Sequence, residues 1–452
     1  MRAMGWLPLI LLPISTSYLA SFAANGAELT DSRLQIKLGY VDREHNVRSN
    51  DESFKADSFF LQGRYQQGLK LNSNWSAYLD GRVLVASDDE TLVDEETLIS
   101  TDLDDNDNVS AELRQAYVAY HGLTQYPNES LRFGLQRLRE YSGLWWDADI
   151  ESITWQASTT ELEWLFGIGQ QFDRYRTDAD LPEIHDDVFR VFASGRYHVN
   201  QSLTLAVKLA HASQSNDNLL PLTTNSYAAG VNGERTWFGA ELSRHWQKSG
   251  PAFGHAFKLE AIFQTGQGDM LTDAGIVSEQ DNDGYALDAG YRFDFRQQPL
   301  SIGMTATIAS GGDGDTFSQS GIHSNRSHHY GNSETLYRFN EALRADMSNL
   351  RHWSIFGAYA FGKHTRGALA ISRFQRDDEN QPIYVGGRAI SIAGGDKDLG
   401  MGIDLSITHF PQVNWQWPIR FIRLRASTFN PTGELAQKSD DHRFALEAQF
   451  VL

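Results

Sequence analysis

The chain has 452 residues, no cysteine and a formal net charge of −19. This excess of acidic residues argues against nucleic acid as a partner, because phosphate backbones attract basic proteins. Aromatic residues make up 12% of the sequence and glycine contributes 38 residues. After the N-terminal region, no apolar segment approaches the roughly 18 residues of a membrane helix. A polar chain rich in aromatic residues and glycine is typical of a β-barrel around a polar lumen.

The first residues have the three parts of a secretory signal. Arg2 supplies the positive charge, an apolar segment runs through 7–14, and a small-x-small cleavage site ends at Ala23. The apolar segment is too short to span a membrane, which takes about 20 residues. We therefore predict a signal peptide at 1–23 and a single mature domain at 24–452.

Alternating apolar and polar residues recur from one end of the chain to the other. Leu203, Leu205 and Val207 share one face of such a segment, and Lys208 lies on the other. The final residues, 444–452, alternate in the same way. A period of two residues is typical of strands with one apolar face, in a soluble sandwich as well as in a membrane barrel.

The connections between the alternating segments decide between these two folds. Nine long polar gaps alternate with eight short ones, from a long gap at 42–56, through another at 267–283, to the last at 430–440. Every second connection therefore lies on the same side, which is the pattern of outer-membrane proteins. We predict an all-β fold, a transmembrane antiparallel β-barrel of about 18 strands with long extracellular loops and short periplasmic turns. We therefore expect it in the outer membrane of a Gram-negative bacterium.

Several basic residues occupy the polar face of the predicted strands. Lys37 and Arg64 lie between apolar neighbours, and Arg114 is predicted to face away from Tyr117. A charge facing lipid at mid-membrane costs roughly 2–4 kcal/mol, so these cations are expected in the lumen. Each could simply pair with a wall carboxylate such as Glu447 and hold the barrel in shape. As a set they indicate an anion-selective pore, which rings of arginine and lysine create.

No catalytic or cofactor motif accompanies these strands. The sequence has no GxSxG elbow and no HExxH pair, and the glycine-rich segment 311–314 has no phosphate-binding helix after it. The His328-His329 pair and the acidic run at 87–109 are interpreted as parts of solvated loops rather than metal sites. We therefore predict a protein that is not an enzyme and that binds no metal or cofactor.

Five stretches of sequence carry a more specific likeness. They are LRFGLQRLREYSGLWWDADIESITW at 131–155, YRTD at 175–178, GIHSNRSHHYGNSETLYRFNEALRADMSNL at 321–350, GGDKDLGMGIDLSIT at 394–408 and IRLRASTFNPTGE at 422–434. With these, the chain resembles the alginate export porins, the AlgE-type outer-membrane family, over nearly its whole mature length. The resemblance implies an eighteen-stranded barrel through which alginate, a polyuronate, diffuses out of the cell.

The resemblance also implies an electropositive constriction that selects the polymer. Carried over residue by residue, its cations are Lys37, Arg64, Arg114, Arg137, Arg326, Arg423 and Arg425, and its acidic partners are Asp147 and Glu447. Arg326 lies in the loop 311–349, which must therefore fold inward. Arg137 has the same parity as the apolar residues Leu131 and Phe133, so its lumen position requires a β-bulge.

Three positions depart from the family pattern. Gln115 replaces an acidic residue, and Leu135 and Thr335 replace arginines, so the constriction is expected to be less basic than the pattern. The leading hypothesis is passive export of an anionic exopolysaccharide, and the alternative is an anion-selective porin for uptake of small acidic solutes or oligosaccharides. The expected partners are the acidic polysaccharide, outer-membrane lipid and lipopolysaccharide, and periplasmic secretion-complex proteins. We expect a monomer.

Overall fold

The computed structural model describes most of the mature chain. The described residues are 28–47, 54–87, 108–126, 128–178, 180–181, 185–214, 233–246, 254–271, 277–295, 297–312, 314–327, 336–386, 388–392, 394–412, 419–433, 435 and 440–452. The predicted signal peptide at 1–23 lies outside them. No helix in this part of the chain is long and apolar enough to cross a membrane.

Eighteen antiparallel strands form one closed sheet in the described residues. In chain order they are β1 Glu28–His45, β2 Phe54–Lys70, β3 Trp75–Ala86, β4 Val109–Tyr120, β5 Ser130–Arg139, β6 Asp147–Ser158, β7 Leu162–Gln170, β8 Val188–His198, β9 Leu203–Gln214, β10 Gly233–Arg244, β11 His255–Leu271, the interrupted β12 Val277–Asp281 with Gly284–Asp294, β13 Leu300–Ala309, β14 Leu350–Ala360, β15 Thr365–Arg376, β16 Asp398–His409, β17 Ile419–Pro431 and β18 Asp441–Val451. The first strand pairs with the second and with the last, so the sheet has no open edge. Closure pairs every strand, as lipid requires, and it confirms the predicted barrel.

Long and short connections alternate as predicted, but two long gaps are narrower than expected. Polar residues near 42–45 continue β1, and those near 267–271 continue β11. β1 has 18 residues and β11 has 17. At about 3.3 Å per residue, such strands exceed an apolar band about 25 Å tall, so their polar ends extend beyond the membrane.

The outer face of the barrel is apolar and exposed. Phe59 is 68% exposed, Leu61 is 50% exposed, and Ile355 is 56% exposed. Charged residues of the opposite parity, such as Lys208 and Arg292, are buried inside. Lipid is the medium that this outer face fits.

Two extracellular segments fold into the lumen and pack against each other. One is the β5–β6 connection, 140–146, and the other is the β13–β14 connection, 310–349, in which Arg326–Ser327 pairs with Leu336–Tyr337. Their shared apolar core consists of buried side chains, among them Trp145, Trp146, Phe317, Phe339 and Met347. The second segment is named the inserted loop below. Its described residues, 310–312, 314–327 and 336–349, fold inward, as predicted for this part of the loop.

The β5–β6 hairpin enters the lumen because its upper part leaves the wall. Pairing between β4 and β5 ends at Ala116 and Leu135, whereas β5 and β6 stay paired in one register up to Arg139. Beyond Leu135, the segment 175–177 takes the place of β5 beside β4. Both faces of the upper hairpin therefore lie inside the barrel.

This geometry corrects the expectation for Arg137. We predicted that a β-bulge would bring its side chain to the lumen, but no irregularity interrupts the β5–β6 register. The whole hairpin end turns inward, so strand parity no longer decides which residues face lipid.

Candidate functional site: a basic cavity in the lumen

The lumen holds a cavity of ≈ 490 Å³ lined mainly by basic side chains, named the basic cavity below. Each residue predicted for the constriction lines it: Lys37, Arg64, Arg114, Arg137, Arg326, Arg423, Arg425, Asp147 and Glu447. The sequence reasoning missed four more arginines in the same lining, which are Arg33, Arg82, Arg139 and Arg420. The cavity thus brings together side chains from β1, β2, β3, β4, β5, β6, β17 and β18 with the inserted loop.

Glu447 of β18 joins the two strands beside it. Its carboxylate lies 3.4 Å from Lys37 Nζ on β1 and 3.2 Å from Arg423 Nη1 on β17. Arg425 Nη2 lies 3.6 Å from the same carboxylate, and its Nη1 lies 3.5 Å from Glu341 of the inserted loop. One buried acid therefore positions three cations, as expected for a pairing partner.

Arg64 is held by Asp80, a carboxylate that is fully buried in the neighbouring strand β3. Arg64 Nη2 lies 2.5 Å from Asp80 Oδ2. The same oxygen accepts hydrogen bonds from Gln66 Nε2 at 3.1 Å and Gln115 Nε2 at 3.2 Å. Gln115, which replaces an acidic residue of the family pattern, thus donates to a carboxylate instead of supplying one.

A β-bulge at Arg114 changes which residues of β4 face the lumen. Asp80 pairs with Gln115 and Gly81 pairs with Leu113, so Arg114 is the extra residue. Its guanidinium lies 3.1 Å from Asp149 on the inward hairpin. We expected Tyr117 on the opposite face, but the bulge shifts the parity and brings it to the lumen face, so that expectation is wrong.

Asp147 fixes the hairpin and the inserted loop together. Arg137 Nη2 lies 2.7 Å from Asp147 Oδ1, and Ser324 Oγ donates to Asp147 Oδ2 at 2.7 Å. Arg326 follows two residues later and lines the basic cavity from the inserted loop. Asp147, the predicted acidic partner, therefore contacts Arg137 directly. Through its hydrogen bond with Ser324 it also fixes the backbone that carries Arg326.

Gly143 makes a close backbone contact between the two inserted segments. Its φ of +67° is left-handed, and its carbonyl accepts hydrogen bonds from the backbone N–H groups of Ser324 and Asn325 at 3.0 Å. A Cβ here would lie 2.6 Å from the carbonyl oxygen of Arg326. Glycine is required here by both backbone conformation and space.

We expect Gly143→Ala to push the inserted loop away and to widen the water path through the lumen. The measurement is single-channel conductance, which should increase. Gly122→Ala is the matched control, because Gly122 also has a left-handed φ, of +105°, but among the described residues no atom lies within 4 Å of the position that its Cβ would take. Equal conductance in both variants would show that this contact does not limit the path.

The chemistry of the basic cavity is binding of anions. It has eleven basic and two acidic side chains in its lining. A guanidinium has five N–H donors, so an arginine in an ion pair keeps donors for a second, bidentate carboxylate. In the described part of the chain, no cluster of three or more His, Asp or Glu residues could hold a metal ion. His328-His329, Thr335 and residues 88–107 of the acidic run lie outside the described residues.

Comparison with known proteins decides the family. The family model described as alginate export matches residues 42–444. The chain belongs to the alginate export family. It is 30% identical over 390 residues to the alginate production protein AlgE of Pseudomonas aeruginosa, covering 79% of each chain. It is 28% identical over 406 residues to AlgE of Pseudomonas syringae pv. tomato, covering 79% of this chain and 80% of the relative.

Solved structures support the fold of this family member. It matches the crystal structure of Pseudomonas aeruginosa OpdK with vanillate at a TM-score of 0.59 and 12% identity, over 93% of this chain and 98% of that one. It matches Pseudomonas aeruginosa OccK2 (OpdF) in complex with glucuronate at a TM-score of 0.57 and 12% identity, with the same coverage. These likenesses show the fold alone. Together with the family match, the fold makes this chain an outer-membrane β-barrel channel and not an enzyme, as predicted.

Proposed function

We propose that this channel exports alginate or a related polyuronate by passive diffusion through the basic cavity, which acts as an Arg/Lys-lined constriction. The observation that carries the proposal is the convergence of eleven basic side chains, from six strands and the inserted loop, on one cavity. The relatives named for alginate production support this choice of polymer.

The ion pairs of the basic cavity favour passage of the polymer over tight binding of it. Lys37, Arg64, Arg114 and Arg423 each have a carboxylate partner on the wall or hairpin. A polymer carboxylate must share each cation with that partner, so each site binds weakly. Conduction requires binding that permits departure as well as arrival, and several weak sites in series meet this requirement.

We expect the double variant Arg64→Gln, Arg423→Gln to lose anion selectivity. Each charge attracts an anion about 8 Å away in water by about 0.5 kcal/mol and repels a cation by the same amount. Removing two charges therefore lowers the anion-to-cation permeability ratio by about 2 kcal/mol, or about thirtyfold. The measurement is the reversal potential across a planar bilayer under a salt gradient. Asp80 keeps two amide donors in this variant, so the barrel should remain folded.

Arg351→Gln is the matched control. Arg351 also forms an ion pair, with Nε 2.6 Å from Asp377, but its side chain lies on the outer face of β14 and is 51% exposed. An unchanged reversal potential in the double variant would contradict the lumen role of these arginines.

Block of the current separates polymer export from the alternative of small-solute uptake. We expect oligouronates to block the channel and monomeric glucuronate to leave the current unchanged at the same carboxylate concentration. Equal block by the monomer would favour an anion porin for small acids. Lipopolysaccharide, periplasmic secretion proteins and the monomeric state stay predictions about partners and assembly.

A further inference from the structure

Three arginines at the periplasmic end of the lumen differ from those of the constriction. Among the residues that the structure describes, no carboxylate lies within 4.0 Å of Arg33, Arg132 or Arg420. Each of them lies near the periplasmic end of its strand, in β1, β5 and β17 respectively. In the described part of the chain, the periplasmic mouth thus presents cations without carboxylate partners. Most cations that the sequence predicted for the constriction are instead paired with a carboxylate: Lys37, Arg64, Arg114, Arg137, Arg423 and Arg425.

Arg33 and Arg420 lie at the periplasmic end of the basic cavity. Arg33 pairs in register with Gln66, and both side chains line the cavity. The β17–β18 register shifts between Ile419 and Phe421, so the pairing skips Arg420. This irregularity brings the Arg420 side chain into the cavity lining although Ile422, of the same parity, is exposed on the outer face.

Two stacked tyrosines continue this arrangement along the wall. The rings of Tyr78 and Tyr117 have centroids 5.4 Å apart and an interplanar angle of 29°. The guanidinium carbon of Arg132 lies 5.3 Å from the centroid of Tyr117. Gly68 and Gly134 are the register partners of the two tyrosines, and neither has a side chain that could cover the rings.

These arginines and tyrosines are complementary to the two kinds of surface on a uronate residue, its carboxylate and the C–H face of its ring. Guanidinium groups without a carboxylate partner can give most of their donors to sugar carboxylates. The C–H face of a pyranose ring is apolar and packs on an aromatic ring, which is rigid and loses little entropy on binding. The Tyr117–Arg132 pair therefore offers a ring surface and a cation side by side.

We propose that Arg33, Tyr78, Tyr117, Arg132 and Arg420 form a periplasmic collar that captures the leading residues of a polyuronate chain. This inference rests on the proposed function and adds to it the place where the polymer first binds. Charges without a neutralising carboxylate attract an anion from a distance and raise its association rate, whereas the paired cations beyond them hold it weakly. The collar should therefore make a polyuronate associate faster from the periplasmic side of the channel than from the extracellular side.

The test is single-channel block by an oligouronate added to one side at a time. Because the chain has no cysteine, Asn380→Cys in the exposed β15–β16 loop can be labelled with an impermeant thiol reagent to report orientation. In the otherwise unaltered protein, we expect faster association from the periplasmic side. Arg33→Gln with Arg420→Gln should lower that association rate about fivefold and leave the rate from the extracellular side unchanged.

Substitution of the two tyrosines is expected to change a different quantity, the time for which the channel stays blocked. Tyr78→Leu with Tyr117→Leu should shorten the blocked time about threefold or more, since each ring contact adds to residence rather than to attraction. The association rate in this variant should stay the same. An unchanged blocked time would remove the tyrosines from the collar.

Two control variants isolate the charge effect. Arg244→Gln removes a charge at the periplasmic end of β10 but on the exposed outer face, and it should leave the association rate unchanged. Arg33→Lys with Arg420→Lys keeps both charges and should restore the rate. Equal rates in the glutamine variant and the Arg244→Gln control, or equal rates from both sides in the unaltered channel, would overturn the collar. Absence of oligouronate block from either side would instead overturn the proposed function.

Discussion

Lys208→Met is expected to lower the free energy of unfolding by about 3–5 kcal/mol, the effect of removing one partner from a buried ion cluster. Lys208 Nζ lies 3.1 Å from Glu140, 3.0 Å from Glu241 and 2.7 Å from Glu260. All four residues are buried. Without the lysine, three carboxylates would share one desolvated site, and the hairpin end that carries Glu140 would lose its anchor on the wall.

Urea unfolding of the barrel in lipid vesicles measures this effect. Lys397→Met is the matched control, because Lys397 Nζ lies 2.9 Å from Glu379 but its side chain is 46% exposed. An exposed pair contributes only about 0–1 kcal/mol, so the control should change little. Adding Glu140→Gln and Glu241→Gln to Lys208→Met should recover part of the loss, because Glu260 keeps its ion pair with Lys258. A loss no larger than that of the control would contradict the role of Lys208 as an internal anchor.

Replacing residues 312–346 by a short glycine–serine linker is expected to raise the conductance severalfold. An eighteen-stranded barrel leaves an aqueous channel unless something fills it, and the inserted loop fills much of this lumen. Anion selectivity should persist in this variant, because Lys37, Arg64 and Arg423 belong to the wall.

The shortened barrel loses polar contacts between the loop and the wall, and those at Asp404 call for a compensating change. Asp404 is buried and accepts a hydrogen bond from Asn340 Nδ2 at 3.1 Å and one from the Glu341 N–H at 2.9 Å. Both donors leave with the loop and the carboxylate then faces the widened lumen, so Asp404→Asn should accompany the deletion to avoid adding this negative charge to the water path. Asp404→Asn alone, with the loop intact, is the control. Equal conductance of the shortened and control channels would mean that the loop does not obstruct the lumen.

The sequence predicted the barrel well because lipid imposes a simple rule on every strand. Apolar and polar residues must alternate wherever one face meets lipid and the other meets water, and the register is then fixed for the whole strand. Lys37, Arg64, Arg423 and Arg425 follow this rule, and the structure places all four in the basic cavity. Arg82 follows it too, beside the exposed residue Val83, and could have been found in the same way.

The rule fails where the backbone leaves the regular register. Tyr117 lies beyond a bulge, Arg420 is skipped by its partner strand, and Arg137 belongs to a hairpin that leaves the wall. Each irregularity shifts or removes the period of two without any change in composition. Arg137 was found only because the family resemblance pointed to it.

The filled interior could not be predicted from local sequence at all. Phe317, Phe339 and Met347 belong to a stretch with many polar residues, which indicates an exposed loop. They are buried because their partners lie far away in sequence, as in the hydrogen bond from Trp237 Nε1 to the Ser318 carbonyl at 2.7 Å. Such contacts form only in the closed barrel, and they produce no regular alternation of apolar and polar residues in the sequence.

The most direct test of charge-selective export is release of labelled oligouronates from vesicles that contain the purified channel. We predict that an oligouronate leaves faster than a neutral oligosaccharide of the same length, and that added salt reduces the difference by screening the lumen charges. Arg64→Gln with Arg423→Gln should bring the two rates together. Equal release of the charged and neutral oligosaccharides by the unaltered channel would contradict selection of an acidic polymer by the basic cavity.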